Sequence, residues 1–267
     1  MPKRLYLAWI LCLFLCFSCV FPLKLNVKQG NAAEQGQAEC VIEMRTGRIL
    51  HERNGELSLP MASTTKILTA ITVLEYCKDL QEEIYIPPEA VGVEGSSAYL
   101  QADEKYTVQD LLYGLMLRSG NDCATALALH FGGSIRDFSV KMNLMAQKAG
   151  ALRSHFENPH GLPCENHYTT ARDLCYITRS AMKDEIFSRI VATKFYEPKQ
   201  WKNKNKLLLS YDGAIGVKTG YTKAAGRCLV SAAKRGEKIM ICTVLNCQAM
   251  YERSAELLDK AFSLDNK

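Results

Sequence analysis

Ala214-Ile215-Gly216-Val217-Lys218-Thr219-Gly220 opens the stretch that decides the fold. Beyond Leu207 the apolar residues take up strand spacing, in runs over residues 214–219, 227–233 and 239–245, with Gly226 and Arg235-Gly236 at the turns between them. Strands also stand near the other end of the chain. Residues 39–44 alternate and are β-rich, Arg45-Thr46-Gly47-Arg48 supplies a turn, and residues 49–53 return as a second strand.

Between these ends the period changes to that of helices. Ile67, Leu68, Ala70, Ile71, Val73 and Leu74 surround most of one helix, which predicts its burial on nearly all sides. Later helices carry start signals: Thr107 stands three residues before Asp110, Ser134 three before Asp137, and Thr170 three before Asp173. Asn158-Pro159-His160-Gly161-Leu162-Pro163 breaks the helical region with a loop, and residues 250–262 form a last amphipathic stretch. The expected class is α+β: an antiparallel sheet built from N- and C-terminal strands, flanked by helices, with an inserted helical lobe. No repeat or linker divides residues 34–267, so one cooperative unit is expected.

The first residues differ from the rest. Lys3 and Arg4 precede an apolar run over residues 5–23, and Gly30-Asn31-Ala32-Ala33 offers small residues for cleavage, so residues 1–33 read as an export signal. The run is long for a cleaved signal, and Lys24 and Lys28 lie between it and the cut, which keeps an uncleaved anchor open as the alternative. A lipid-attached Cys16 or Cys19 is a third option. In each case the bulk of the chain is expected outside the cytoplasm, with membrane contact only through this segment.

The formal charge of +5 comes mostly from that segment: of 33 basic residues, Lys3, Arg4, Lys24 and Lys28 belong to it, leaving 29 against 28 acidic ones. Nucleic-acid binding has no electrostatic support. Of 11 cysteines, Cys12, Cys16 and Cys19 fall in the signal, and the other eight show no paired spacing of zinc-finger type. Buried thiols are expected, disulfides stay open, and no metal or cofactor is called for.

Three short motifs carry chemistry, and their order matters more than any one of them. Ser63-Thr64-Thr65-Lys66 precedes Ser119-Gly120-Asn121, which precedes Lys218-Thr219-Gly220. Ser-x-x-Lys recurs at residues 180–183 and 231–234, but only the first copy lies upstream of the other two motifs. On a helix Ser63 and Lys66 share a face. A serine hydroxyl needs a base, and Lys66 can serve if its pKa is depressed, by burial in the apolar helix and by Lys218 if the motifs converge. Taken without the other motifs, Ser63 reads as an N-cap and Lys66 as a solvated surface lysine.

Ser119-Gly120-Asn121 falls between two apolar helices and reads as a tight turn with Gly120 supplying backbone freedom. Ser119 can relay a proton toward a leaving amine, while Asn121 can hold a substrate carbonyl or the Lys66 ammonium. Lys218 and Thr219 end a strand where they can bind a carboxylate, and Gly220 leaves room for a substrate backbone. The N–H of Tyr221 can pair with that of Ser63 as an oxyanion hole. None of the five histidines lies in a nucleophile-elbow or zinc-protease pattern.

At these residues the chain resembles the low-molecular-mass penicillin-binding proteins, serine-type D-alanyl-D-alanine carboxypeptidases of peptidase family S11 with the β-lactamase/transpeptidase-like fold. The likeness runs from about Glu39 to about Cys247. It takes in Gly95-Ser96-Ser97, Leu111-Leu112-Tyr113-Gly114-Leu115-Met116, Asp122 after the second motif, Phe156-Glu157-Asn158-Pro159-His160-Gly161-Leu162 and Tyr168-Thr169-Thr170-Ala171-Arg172-Asp173. The resemblance implies that Ser63 attacks the penultimate D-Ala carbonyl of a peptidoglycan stem peptide and that water hydrolyses the acyl-enzyme. It gives Lys66 the role of base, Ser119 and Asn121 that of assisting, and Lys218 with Thr219 that of holding the terminal carboxylate. β-Lactam antibiotics are then expected to acylate Ser63. The extra C-terminal domain and amphipathic anchor of many members are not expected here. A class A β-lactamase is the nearest rival, but its Glu-x-x-Leu-Asn motif is absent between Asn121 and Lys218. A penicillin-sensing, wall-binding domain is the rival from another class.

Overall fold

The computed structural model describes residues 36–264. The export signal expected over residues 1–33 lies outside them.

The sheet has five antiparallel strands. β1 (Ala38–Glu43) and β2 (Ile49–Arg53) form the expected hairpin, and β7 (Ala214–Thr222), β8 (Gly226–Arg235) and β9 (Lys238–Leu245) form the expected meander, in the order β2-β1-β9-β8-β7. The join is between β1 and β9, Ala38 opposite Leu245 through Glu43 opposite Met240. Strands distant in sequence therefore close one sheet, and β7 is left at its edge.

Side chains alternate across this sheet and both faces are covered. Val41, Leu229, Met240, Cys242 and Val244 pack beneath the C-terminal helix α8 (Met250–Leu264). Cys40, Ile42, Val230, Ala232 and Ile241 join the larger core on the other face. That core extends into the inserted helices: α1 (Lys66–Tyr76), α2 (Val108–Tyr113), α3 (Asn121–Gly132), α4 (Ile135–Lys148), α5 (Ala171–Ala181) and α6 (Glu185–Ala192). Its central member is α1, buried from Lys66 to Val73 and packed on by α3, α4 and α5.

The three predicted caps form. The Thr107, Ser134 and Thr170 side chains accept from the Asp110, Asp137 and Asp173 N–H groups. Differences from the sequence reading lie mostly in short elements. The helix expected over residues 108–117 is α2 followed by a π turn, Gly114–Arg118, and α6 and two small hairpins come unannounced. Those hairpins are β3 (Glu83–Tyr85) with β4 (Lys105–Thr107) and β5 (Phe195–Tyr196) with β6 (Trp201–Lys202), all too short to show a period. A four-residue helix, α7 (Leu207–Ser210), leads into β7.

Candidate active site

Ser63 lies within a 3-10 turn, Ala62–Thr65, that feeds directly into α1, and it is not a helix cap. The Thr64 and Thr65 hydroxyls donate to the Met61 and Ala62 carbonyls, which fixes the turn from inside. Lys66, at the first position of α1, is wholly buried. Its Nζ lies 3.1 Å from Ser63 Oγ, 2.6 Å from Asn121 Oδ1 and 2.7 Å from the His160 carbonyl oxygen.

Burial holds Lys66 well below the ordinary lysine range, and the Lys218 ammonium adds to the effect; the acidic groups of Cys123 and Asp122 oppose it. A neutral amine has two N–H bonds and one lone pair. The two carbonyl oxygens take the N–H bonds, which leaves the lone pair for the Ser63 hydroxyl. The same three contacts that would hold an ammonium thus present a base to Ser63 once the proton is gone.

Asn121 opens α3 and is pinned on both sides of its amide. Its Oδ1 accepts from Lys66, and its Nδ2 donates to the Glu94 carbonyl. Its backbone N–H donates to the Ser96 carbonyl at 2.7 Å. The next residue, Asp122, accepts from the Ser97 hydroxyl and from the Ala98 and Leu100 N–H groups, so the buried start of α3 clamps the segment around Gly95-Ser96-Ser97.

The middle motif does turn tightly, though not at the glycine. Ser119 takes the left-handed conformation, φ 63° and ψ 31°, whereas Gly120 has an ordinary φ of −59°. Gly120 is needed for space: a Cβ there would meet Asp122 Oδ1 at 2.5 Å and Cys123 Sγ at 3.0 Å. The Ser119 hydroxyl lines the cleft without bonding to Lys66, whose contacts are with Ser63, Asn121 and His160.

β7 brings the third motif to the same place. Lys218 is almost wholly buried, donates to the Thr219 carbonyl at 3.0 Å, and is pushed down to about 7 by burial and by Lys204. Gly220 faces the serine turn so closely that a Cβ would sit 3.0 Å from the Ser63 nitrogen and 3.1 Å from the Met61 carbonyl oxygen. Ser63, Ser119, Thr219, Gly220 and Tyr221 line one cleft of about 240 Å³ beside this edge.

Sequence reasoning missed the loop behind Lys66. Gly161, at φ +89°, lies where a Cβ would overlap the Ala62 carbonyl, and the His160 carbonyl next to it holds Lys66. The Asn158 side chain accepts from the Gly161 N–H and donates to the Leu162 carbonyl, fixing that turn. The Asn158-Pro159-His160-Gly161 breaker was visible, but a backbone carbonyl leaves no residue signature. His167 Nδ1 accepts from the Glu157 N–H, so its Nε2–H donates to the Thr65 hydroxyl. Burial pushes His160 and His167 down to about 3, with the Lys66 charge adding to the effect at His160 and His160 itself adding at His167. Both rings are therefore neutral at physiological pH.

The other Ser-x-x-Lys copies do not reproduce this arrangement. Ser231 and Lys234 lie on β8, where an odd spacing sends side chains to opposite faces, and Ser180 lies in the last turn of α5 with Lys183 beyond its end. The cysteines from Cys40 to Cys247 are free thiols, and burial raises those of Cys123, Cys175, Cys228 and Cys242.

A serine beside a buried lysine, at the junction of an antiparallel sheet and a helical lobe, is an arrangement that suits the serine hydrolases that transfer acyl groups. The chain belongs to the Peptidase S11 family, D-alanyl-D-alanine carboxypeptidase, whose model matches residues 26–249. D-alanyl-D-alanine carboxypeptidase DacF of Bacillus subtilis (strain 168) is 33% identical over 245 residues, covering 86% of this chain and 63% of that protein. A D-alanyl-D-alanine carboxypeptidase of Streptomyces sp. (strain K15) is 38% identical over 234 residues, covering 79% of this chain and 80% of that protein. Among solved structures, the Streptomyces K15 DD-transpeptidase superposes with a TM-score of 0.78 at 36% identity, covering 84% of this chain and 96% of that one. D-alanyl-D-alanine carboxypeptidase DacD from Francisella tularensis gives 0.78 at 31%, covering 85% and 70%. This chain thus spans a little under two thirds of the Bacillus relative and nearly all of the Streptomyces structure.

Proposed function

We propose that this protein is a serine-type D-alanyl-D-alanine carboxypeptidase that removes the terminal D-Ala from peptidoglycan stem peptides through an acyl-enzyme on Ser63. The single observation that carries the reading is the Ser63 hydroxyl 3.1 Å from a wholly buried Lys66 whose two carbonyl partners leave a lone pair for it. Ser63 gives its proton to Lys66 as its Oγ bonds to the penultimate D-Ala carbonyl carbon. The developing oxyanion is taken by the backbone N–H groups of Ser63 and Tyr221. The C–N bond then breaks, and the proton returns from Lys66, by way of Ser119, to the departing D-Ala amine. Water repeats the sequence to release the shortened peptide. Asn121 positions Lys66, and Lys218 with Thr219 binds the terminal carboxylate.

Residues 34–267 form the catalytic unit on this reading, and residues 1–33 direct it outside the cytoplasm, where its substrate lies. Among the described residues no helix is long and apolar enough to cross a membrane. β-Lactams, which carry a strained amide and a carboxylate, acylate Ser63 by the same route. The loop that reaches Lys66 gives it the His160 carbonyl, and no Asp or Glu lines the cleft to activate deacylating water, so a long-lived penicillin adduct is expected and not the fast turnover of a β-lactamase.

Purified protein incubated with a D-Ala-D-Ala-terminated pentapeptide and, separately, with labelled penicillin is expected to release D-Ala and to form a covalent adduct. Both are lost in Ser63→Ala. An adduct that survives in that variant overturns the nucleophile assignment, and rapid penicillin turnover without D-Ala release moves the protein to the β-lactamases. Adding an amine acceptor distinguishes transfer from hydrolysis, since the Streptomyces neighbour is named a transpeptidase.

A further inference from the structure

Arg227 stands in the wall of the active-site cleft, exposed, with no carboxylate partner among the described residues. It lies directly opposite Tyr221 across the β7–β8 pair, and Tyr221 is itself 64% exposed. Thr219, Tyr221, Arg227 and Leu229 share one face of the sheet by alternation, and Leu229 places that face on the α8 side. Met250 and Tyr251, at the start of α8, continue the wall. The cations lining this cleft are Lys204 and Arg227, and its lining includes no Asp or Glu.

The free edge of β7 sets the direction of a bound peptide. On the carboxypeptidase reading, on which this subsite depends, the terminal carboxylate lies at Lys218 and Thr219 and the scissile carbonyl lies beside Ser63. An extended peptide added to that edge therefore runs antiparallel to β7. Its last residue falls beside Thr219 and its penultimate residue beside Gly220, the position nearest the Ser63 nitrogen. The third residue from the C-terminus then falls beside Tyr221, with its side chain on the Tyr221–Arg227 face.

Strands lie about 4.8 Å apart, so Arg227 on β8 is two spacings, roughly 10 Å, from the peptide backbone. An arginine stem and a long side chain span that gap together; an aspartate does not. We infer that Tyr221 and Arg227 form a subsite for the third residue from the C-terminus, one that takes a long side chain ending in a free carboxylate. Its methylenes lie on the Tyr221 ring and its carboxylate meets the Arg227 guanidinium. A lysine at the same position, like an amidated diaminopimelate, brings an ammonium to the cleft's cations with no carboxylate to offset it and forfeits the ion pair.

The test uses three synthetic pentapeptides ending in D-Ala-D-Ala that differ only at that residue: meso-diaminopimelate with its side-chain carboxylate free, the same residue amidated there, and lysine. The wild-type protein is expected to release D-Ala from the free acid with a kcat/KM about fivefold above both the amide and lysine. Arg227→Gln brings the acid-to-amide ratio to about one, Arg227→Glu inverts it, and Arg227→Lys restores part of it, in proteins whose circular dichroism melts match wild type. Equal rates on all three peptides in the wild type, or a preference that survives Arg227→Gln, overturns the subsite while leaving the carboxypeptidase reading intact. Failure to release D-Ala from any of the three overturns both.

Discussion

Two buried lysines stand beside one cleft, and the protonation of Lys66 depends on the charge of Lys218. Lys218 titrates at about 7, so below that pH it is a cation, and that charge is the second cause, after burial, of the depressed Lys66 pKa. A neighbouring positive charge disfavours protonated Lys66, so removing it raises the Lys66 pKa. On the proposed mechanism acylation requires neutral Lys66 and therefore falls on the acid side of that pKa. Lys218→Met is accordingly expected to shift the acid limb of penicillin acylation to higher pH, read from acylation rates between pH 4 and 8 by stopped-flow with a fluorescent penicillin. A limb that moves to lower pH, or not at all, removes Lys218 from the electrostatics of the base. The same variant loses the cation proposed for the terminal carboxylate, so the KM for the D-Ala-D-Ala peptide rises as well.

Elements are tied together by polar groups whose partners are far apart in sequence. Glu39 on β1 is wholly buried and receives Arg253 of α8 through both oxygens, at 2.8 and 2.9 Å, together with His51 and Arg53 of β2. Burial pushes its carboxyl up, but the bonds from Arg253 and His51 outweigh that and bring it down to about 2. A carboxyl whose folded pKa lies below its unfolded value stabilises the fold above the unfolded value, near 4.5, and that contribution is lost as pH falls from there toward about 2. Glu39→Gln is expected to cost about 3 kcal/mol in urea unfolding at pH 7, because it leaves the arginines without their carboxylate. It should also flatten the acid slope between pH 4.5 and 2; an unchanged slope assigns the acid sensitivity to another group. The N-caps at Thr107, Ser134 and Thr170 were legible in the sequence because a cap is a local three-residue pattern. The role of Glu39 was not, since Arg253 lies at the other end of the chain.

Across the whole molecule, one core runs from the inner face of the sheet through α1 into the helical lobe. The helical lobe has no interior separate from that core, so near-UV and far-UV circular dichroism are expected to report one coincident thermal transition. Two resolved transitions would mean that lobe and sheet unfold as separate units. The sequence by itself determined the strand-helix-strand order, and with it the fold class, because alternation and helical period are properties of neighbouring residues. It also determined the three motifs, since Ser-x-x-Lys, Ser-Gly-Asn and Lys-Thr-Gly in that order are readable as letters. Only the tertiary structure decided that Ser119 and not Gly120 adopts the left-handed turn, and that Gly120 is needed instead for the space that Asp122 and Cys123 fill. It alone supplied the His160 carbonyl to Lys66 and set Arg227 opposite Tyr221 beside the cleft. Those placements depend on a loop and a strand register that bring together residues separated along the chain, and such proximity leaves no local pattern to read.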